Sequence, residues 1–428
     1  MTMYPLATLA LAAVLPQQAV EHPLPPRTEQ PPGVVALVGA TLYPVTGPPI
    51  ESGVMLVEEG RIRAIGADLE VPAGATVLDL AGMSVMPGIV ESHSHMGLKQ
   101  IYRPETGSDN NELSKPINSE VRAIDGLATQ DPAFGLALAA GITTMQITTG
   151  SRSFASGQGA VVKLRGHSVD EMWFAEGGLK FAMRIQSRNQ WGTPVPEILV
   201  LLRERLQEAQ RYREALDAHA RGERAQPPEW NPQLEALGRA LSRELPVGVH
   251  AHGVEPMSAA IALRDEFGLD LYIHHADATL ELAEELAEKG IPISFGPVLP
   301  GMGRDDPELA GPVRLAELGG SVSFHQDHPD GPQYWLRQSA ALFVRKGMSE
   351  ADALRGLTIE PAKIFRIDDR IGSLEPGKDA DFVVLDGPPL EWESRVRQVF
   401  IEGVRVWSQS SSAATQPVSD DRGPGGEE

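Results

Sequence analysis

The chain predicts an α/β fold: a (β/α)8 TIM barrel with a small composite β-sandwich domain built from both chain ends. Three observations predict it. Two β-rich stretches flank everything else, VALVGATLYPV with GVMLVEEGRIRAIG near the start and DADFVVLD with VFIEGVRVW near the end. Between them, short apolar strands alternate with amphipathic helices, the pattern of parallel β/α units. Five of the eight candidate strands carry a potential metal ligand at or near their C-terminal ends, the end at which a TIM barrel builds its active site.

Residues 1–20, MTMYPLATLALAAVLPQQAV, hold an apolar run from about Leu6 to Leu15. That run is too short to span a bilayer but has the length of a signal-peptide core, although no Lys or Arg precedes it. A periplasmic or secreted protein is the expectation, and a cytoplasmic one if the leader is not a signal peptide. Residues 21–33 are a Pro-rich linker. Residues 34–83 and 367–408 make the composite β-sandwich, with tight turns at Glu59-Gly60 and Glu402-Gly403 and a further turn at Glu375-Pro376-Gly377.

Residues 84–366 form the barrel. Its strand candidates are SVMPGIVESHSH, GITTMQIT, AVVKLRG, GGLKFAM, PVGVHAH, LDLYIHH, IPISFG and SVSFHQD. After the sixth, ATLELAEELAEKG places Leu282 and Leu286 one turn apart, with Gly290 as the stop. After the eighth, a helix from about Gln333 to Lys346 precedes a cap at Ser349 to Asp352. Residues 197–245 are a long charged helical insertion around Pro227-Pro228, most simply a solvated face, with a lid as the alternative. Residues 409–428 are polar and Gly/Pro-rich, the composition of a disordered tail.

The formal net charge is −21, which repels phosphate backbones and anionic lipid surfaces, so no nucleic acid and no membrane are expected as partners. A small molecule is the expected substrate, and a homo-oligomer is compatible with the sequence. There is no cysteine, so disulfides, thiolate nucleophiles and Cys-based zinc sites are excluded and any metal must be held by nitrogen and oxygen.

His93 and His95 are separated by one residue, so on a strand both point the same way. His250 and His252 repeat that spacing, His274 and His275 end the next strand, Lys180 ends the fourth and Asp327 the last. About one β/α unit separates His250 from His275, and about two separate His275 from Asp327. A single His-x-His is more often a surface or satisfied core pair. Five strand ends in register are hard to obtain by chance. His252, His274, His325 and His328 exceed a normal ligand set and read as groups that support the ligands or face the substrate. Lys180 also reads as an ordinary lysine at the barrel mouth or an anion contact.

The motif MPGIVESHSH resembles the first-strand signature of the amidohydrolase superfamily, and SLEPGKDADFVVLD resembles that superfamily's return into its β domain. GITTMQ, GQGAVVKLRG, GLKFAM, VHAHG and DHP are similar to the imidazolonepropionase-like subgroup, which is related to metal-dependent dipeptidases. The likeness covers roughly residues 34–407. It implies metal ligation by His93, His95, His250, His275 and Asp327, with Lys180 carbamylated to bridge two ions. One or two Zn2+ are implied, and without the carbamate a mononuclear site remains. Three places depart from the pattern: Glu91 stands where Asp is usual, RIQSRNQ follows Lys180, and Gly253 with EPM follows VHAH.

The expected activity is metal-dependent hydrolysis of a C–N amide bond in a dipeptide or cyclic amide, with Asp327 as the catalytic proton carrier. A lactonase or esterase on the same barrel is the near alternative. A ring deaminase would want Glu where Gly253 stands. A non-catalytic binding module is the alternative from another class, and such relatives generally lose their ligands.

Overall fold

The computed structural model describes residues 22–100, 108–183, 185–299, 301–302 and 306–409. The stretch read as a possible signal peptide and most of the polar tail lie outside the described residues. The strands, in chain order, are β1 (Val34–Leu42), β2 (Ile50–Glu58), β3 (Arg61–Gly66), β4 (Thr76–Asp79), β5 (Ser84–Pro87), β6 (Ile89–Ser94), β7 (Ile142–Ile147) and β8 (Ala155–Lys163). They continue with β9 (Trp173–Ala182), β10 (Val247–Ala251), β11 (Leu271–His275), β12 (Ile293–Phe295), β13 (Val322–Phe324), β14 (Phe382–Leu385), β15 (Val396–Ile401) and β16 (Val404–Ser408).

Strands from both ends of the chain share one sheet, in the order β16-β15-β14-β5-β1-β2-β3, with β4 pairing β1. The two Glu-Gly turns are two-residue hairpins. Glu58 pairs with Arg61 and Ile401 with Val404, leaving Glu59, Gly60, Glu402 and Gly403 all at positive φ. That backbone twist matches the twist of the flanking strands.

The second sheet contains the eight barrel strands in exact chain order, β6 through β13, and is nearly closed. Its seam lies between β13 and β6, where Ser92 Oγ donates to the carbonyl of Phe324 at 2.9 Å. Two expectations are corrected. The strand read as AVVKLRG, β8, runs antiparallel to both β7 and β9, so the sheet is mixed rather than wholly parallel. Only residues 148–154 connect β7 to β8. A parallel return needs a dozen or more residues, usually a helix, so this short link forces the reversal. The stretch SVMPGIVESHSH is two strands. β5 pairs with β1 and β14 in the terminal sheet, and β6 enters the barrel after Gly88.

The floor of the barrel is apolar. The helix Ile359–Ile364 and the residues after it bring Ile364, Phe365, Ile367 and Ile371 against Val90, Val161 and Tyr272. The insertion is two helices, Val195–Ala220 and Pro232–Leu241. The first buries Ile198, Leu202, Leu206, Ala209 and Tyr212, one helical stripe, and leaves its charges to solvent. Helix Thr279–Lys289 ends at Gly290 in the left-handed region, as the sequence predicts. Among the described residues, no helix is long and apolar enough to cross a membrane. The Pro-rich segment is pinned to the barrel: Leu24 is buried in the core, and the His22 ring stacks on His167 with centroids 4.1 Å apart.

A buried charge cluster ties the two sheets together. Lys163, at the end of β8, is fully buried, with Nζ 2.7 Å from Asp379 and 3.1 Å from both Asp381 and Glu402. Arg165 reaches Glu402 at 2.7 Å, and Arg370 holds Asp379 through two nitrogens. Burial alone would raise the Glu402 carboxyl, but Lys163 and Arg165 hold it down at about 2. Because three carboxylates converge on one ammonium, Lys163→Met should lower unfolding stability by about 3–5 kcal/mol, as for other buried ion pairs that lose one partner. Urea denaturation at neutral pH checks this, and a change below about 1 kcal/mol would contradict the role of the cluster.

Candidate metal centre

Ring nitrogens and carboxylate oxygens converge at the C-terminal ends of the barrel strands. His93 and His95 come from β6 and the residue after it, Lys180 from β9, His250 from β10, His275 from β11, and Asp327 from the turn beyond β13. The ligand atoms of His93, His95 and Asp327 all lie within 4.8 Å of one another, and so do those of His93, His250 and His275. His93 is common to both groups. Asp327 Oδ1 lies 3.3 Å from His93 Nε2 and 3.4 Å from His95 Nε2, and Oδ2 lies 3.8 Å from His275 Nε2. Lys180 Nζ is 3.4 Å from His93 Nε2. All six side chains are buried.

Local backbone geometry aims these groups. On a regular strand His274 and His275 would face opposite sides. The φ of His275 is +67° and that of Ala276 +53°, so the pleat is broken there. The His275 ring then lies 3.8 Å from that of His250, while the His274 ring stays inside the barrel, 4.1 Å from that of His93. Asp327 likewise sits at φ +50°. Gly248 makes room for His274, because a Cβ there would stand 2.4 Å from its Nε2.

Hydrogen bonds set the tautomers. His95 Nδ1 lies 2.7 Å from the carbonyl of Thr148, and His275 Nδ1 lies 2.7 Å from that of Gly296. A carbonyl can only accept, so both Nδ1 atoms carry the proton and Nε2 presents its lone pair. His250 Nδ1 pairs with Ser151 Oγ at 2.9 Å. Burial, then the nearby Lys180 ammonium, depresses the pKa of His93 well below the usual histidine value. Burial and His325 do the same for His275. Asp327 is opposed by its own burial, yet His95, His275, His325 and Lys180 bring it to about 2. Neutral imidazoles and an ionised carboxylate are the forms in which these groups bind metal. His275 Nε2 and Asp327 Oδ1 are also buried without a hydrogen bond. Orphaned acceptors in a cluster of nitrogen and oxygen donors fit a divalent cation.

The remaining candidates separate. His325 joins the cluster, its ring 5.0 Å from that of His93 and 4.8 Å from that of His275, and burial pushes its pKa down to about 3. His252 stands at the exposed lip, paired through Nδ1 with Asp277 at 3.0 Å. His328 is buried beside the site with its pKa pushed down to about 4 by burial, and its carbonyl accepts from the His95 amide. Glu91, at the position where Asp is usual, accepts from the amides of His93 and Gln326 and so joins the two edges of the seam. Thr148, Ser151 and Gly296 were not singled out by the sequence. Two of them act through backbone carbonyls, which every residue possesses. A cavity of 630 Å³ lies at the opposite ends of the strands, lined by Pro246, Leu271, Pro292 and Val322, and contains neither ligand group.

Comparison with known proteins agrees with this geometry. Residues 205–407 match the model of an amidohydrolase family. The crystal structure of an amidohydrolase from Thermotoga maritima superposes with a TM-score of 0.81 at 32% identity, covering 88% of this chain and all of the other. An imidazolonepropionase from Paracoccus denitrificans is 25% identical over 79% of this chain and 88% of its own length. Amidohydrolase tasK from Hapsidospora irregularis is also 25% identical over 82% of this chain, which spans only 39% of that longer protein. With its strand-end histidines, its barrel and these relatives, the chain belongs to the amidohydrolase superfamily and is imidazolonepropionase-like.

Proposed function

We propose that the protein is a metal-dependent amidohydrolase that cleaves a C–N amide bond in a small molecule, a dipeptide or a cyclic amide. The observation that carries this reading is the pair of ligand groups sharing His93 at the barrel mouth. In the first group His93, His95 and Asp327 would hold a cation. In the second, His93 and Lys180 would stand beside His250 and His275. The imidazole and carboxylate donors favour zinc. A bound divalent ion would supply a Lewis acid that polarises the scissile carbonyl and lowers the pKa of a coordinated water to about 7.

The chain's own groups do the rest. Asp327, ionised and buried, takes a proton from the attacking water and delivers it to the leaving nitrogen. The carbonyls of Thr148 and Gly296 keep His95 and His275 from rotating. His252, fixed by Asp277 at the lip, is placed to meet the substrate as it enters. Lys180 as an ammonium would be repelled by two cations. Condensation of its neutral amine with CO2, releasing one proton, would turn it into an anionic carbamate able to bridge them. The terminal sheet, as a composite β-sandwich, would serve as a scaffold that fixes β6 through the continuous run from β5.

Two outcomes are expected. Asp327→Asn should keep its fold by circular dichroism and lose amide hydrolysis by about 10²–10⁴-fold, the worth of a positioned proton carrier. Near-wild-type turnover would remove Asp327 from the chemistry. Protein equilibrated with ¹³C-bicarbonate and zinc should show a carbamate carbon resonance that is absent from Lys180→Ala. A spectrum without that resonance would leave Lys180 as a simple contact.

A further inference from the structure

Three of the four histidines at the centre have a protein partner on Nδ1: the carbonyl of Thr148 for His95, Ser151 Oγ for His250 and the carbonyl of Gly296 for His275. His93 differs. Its Nδ1 is buried and makes no hydrogen bond among the described residues, although His93 is the histidine common to both ligand groups. A ligating imidazole nearly always donates its second N–H to a fixed acceptor, which sets its tautomer and its orientation. Something must serve His93.

The nearest ring is that of His274, with centroids 4.1 Å apart and planes at 44°. This geometry is not a direct hydrogen bond, and both ring nitrogens of His274 are themselves buried and unsatisfied. His274 is fully buried, and burial holds it neutral. The surrounding barrel interior is polar, where such barrels usually carry Val, Ile and Leu. Thr144 Oγ1 and Gln146 Oε1 are buried there without hydrogen bonds, and Tyr272 OH and His274 Nε2 both face the side-chain-free flank of Gly248. Leaving each such group unsatisfied would carry its full desolvation penalty. A buried water serves just this setting, since it makes two to four hydrogen bonds to otherwise unsatisfied groups.

We propose that His274 is a positioning residue for His93, joined to its Nδ1 through a buried water inside the barrel. The His93 N–H donates to the water and the water donates to a ring nitrogen of His274, so His93 Nε2 keeps its lone pair for the metal. His274 thus replaces the carbonyl or hydroxyl that the other ligands have. The proposal rests on the metal-centre reading above, and its test separates the two.

Zinc affinity is measured by chelator competition for the wild type, His274→Phe and His274→Gln. The phenylalanine fills the same space without a polar atom, and the glutamine restores one. His274→Phe should bind zinc about 10–100-fold more weakly, the usual effect of removing such a partner, and His274→Gln should recover most of that loss. Wild-type affinity in His274→Phe would overturn the proposal, as would equal weakness in both variants. Should His274→Phe fail to fold, a crystal structure of the wild type decides: density for a water within about 3.2 Å of both His93 Nδ1 and a His274 ring nitrogen is expected, and its absence overturns the bridge. A wild type that binds no zinc would sink the metal centre itself.

Discussion

Every other feature of this molecule answers to one constraint, the burial of neutral imidazoles with their Nε2 lone pairs converging beside an ionised carboxylate. Such a cluster would favour a cation, because buried acceptors such as His275 Nε2 and Asp327 Oδ1 have lost water without gaining a hydrogen bond. The barrel meets that constraint with backbone. Carbonyls of Thr148 and Gly296 fix the proton on Nδ1 of His95 and His275, so neither ring can present the wrong nitrogen. Positive φ at His275, Ala276 and Asp327 bends the strand ends inward, where regular pleating would send alternate side chains away.

The two sheets are mechanically one unit around that centre. The chain passes from β5 in the terminal sheet to β6 in the barrel with only Gly88 between them. A Cβ at Gly88 would stand 2.1 Å from Thr143 Oγ1, so glycine is required by the close approach of β7. On the same assembly, Lys163 anchors Asp379, Asp381 and Glu402 from the terminal sheet. The strand that presents His93 is therefore continuous with the terminal sheet, and β8 is anchored to the same sheet by a buried charge cluster.

Much of this was legible in the sequence, for identifiable reasons. His93 and His95 stand out because a Pro-Gly precedes a period-two pair, and Asp327 because it ends the last strand. All eight barrel strands were found because each is a short apolar run bounded by turn residues. The direction of β8 was not found, since AVVKLRG has the same composition whichever way it runs. The clue lay in the shortness of residues 148–154, a matter of chain length rather than of residue type. His275, the ligand that the resemblance implies, is turned toward His250 by a broken pleat, which no side-chain pattern records. Two of the three partners that orient the rings are backbone carbonyls and so leave no signature, and the polar interior around His274 became visible only when the strand registers were known.

The most direct test of the central claim is the metal content per chain, measured by mass spectrometry on full-length protein purified without chelators. With His93 and His95 beside Asp327, His250 beside His275 and a carbamylated Lys180 between them, the proposed centre would take up about two divalent ions per chain. Protein that holds no metal, even after incubation with zinc, would contradict the account and leave the histidine cluster without a chemical purpose.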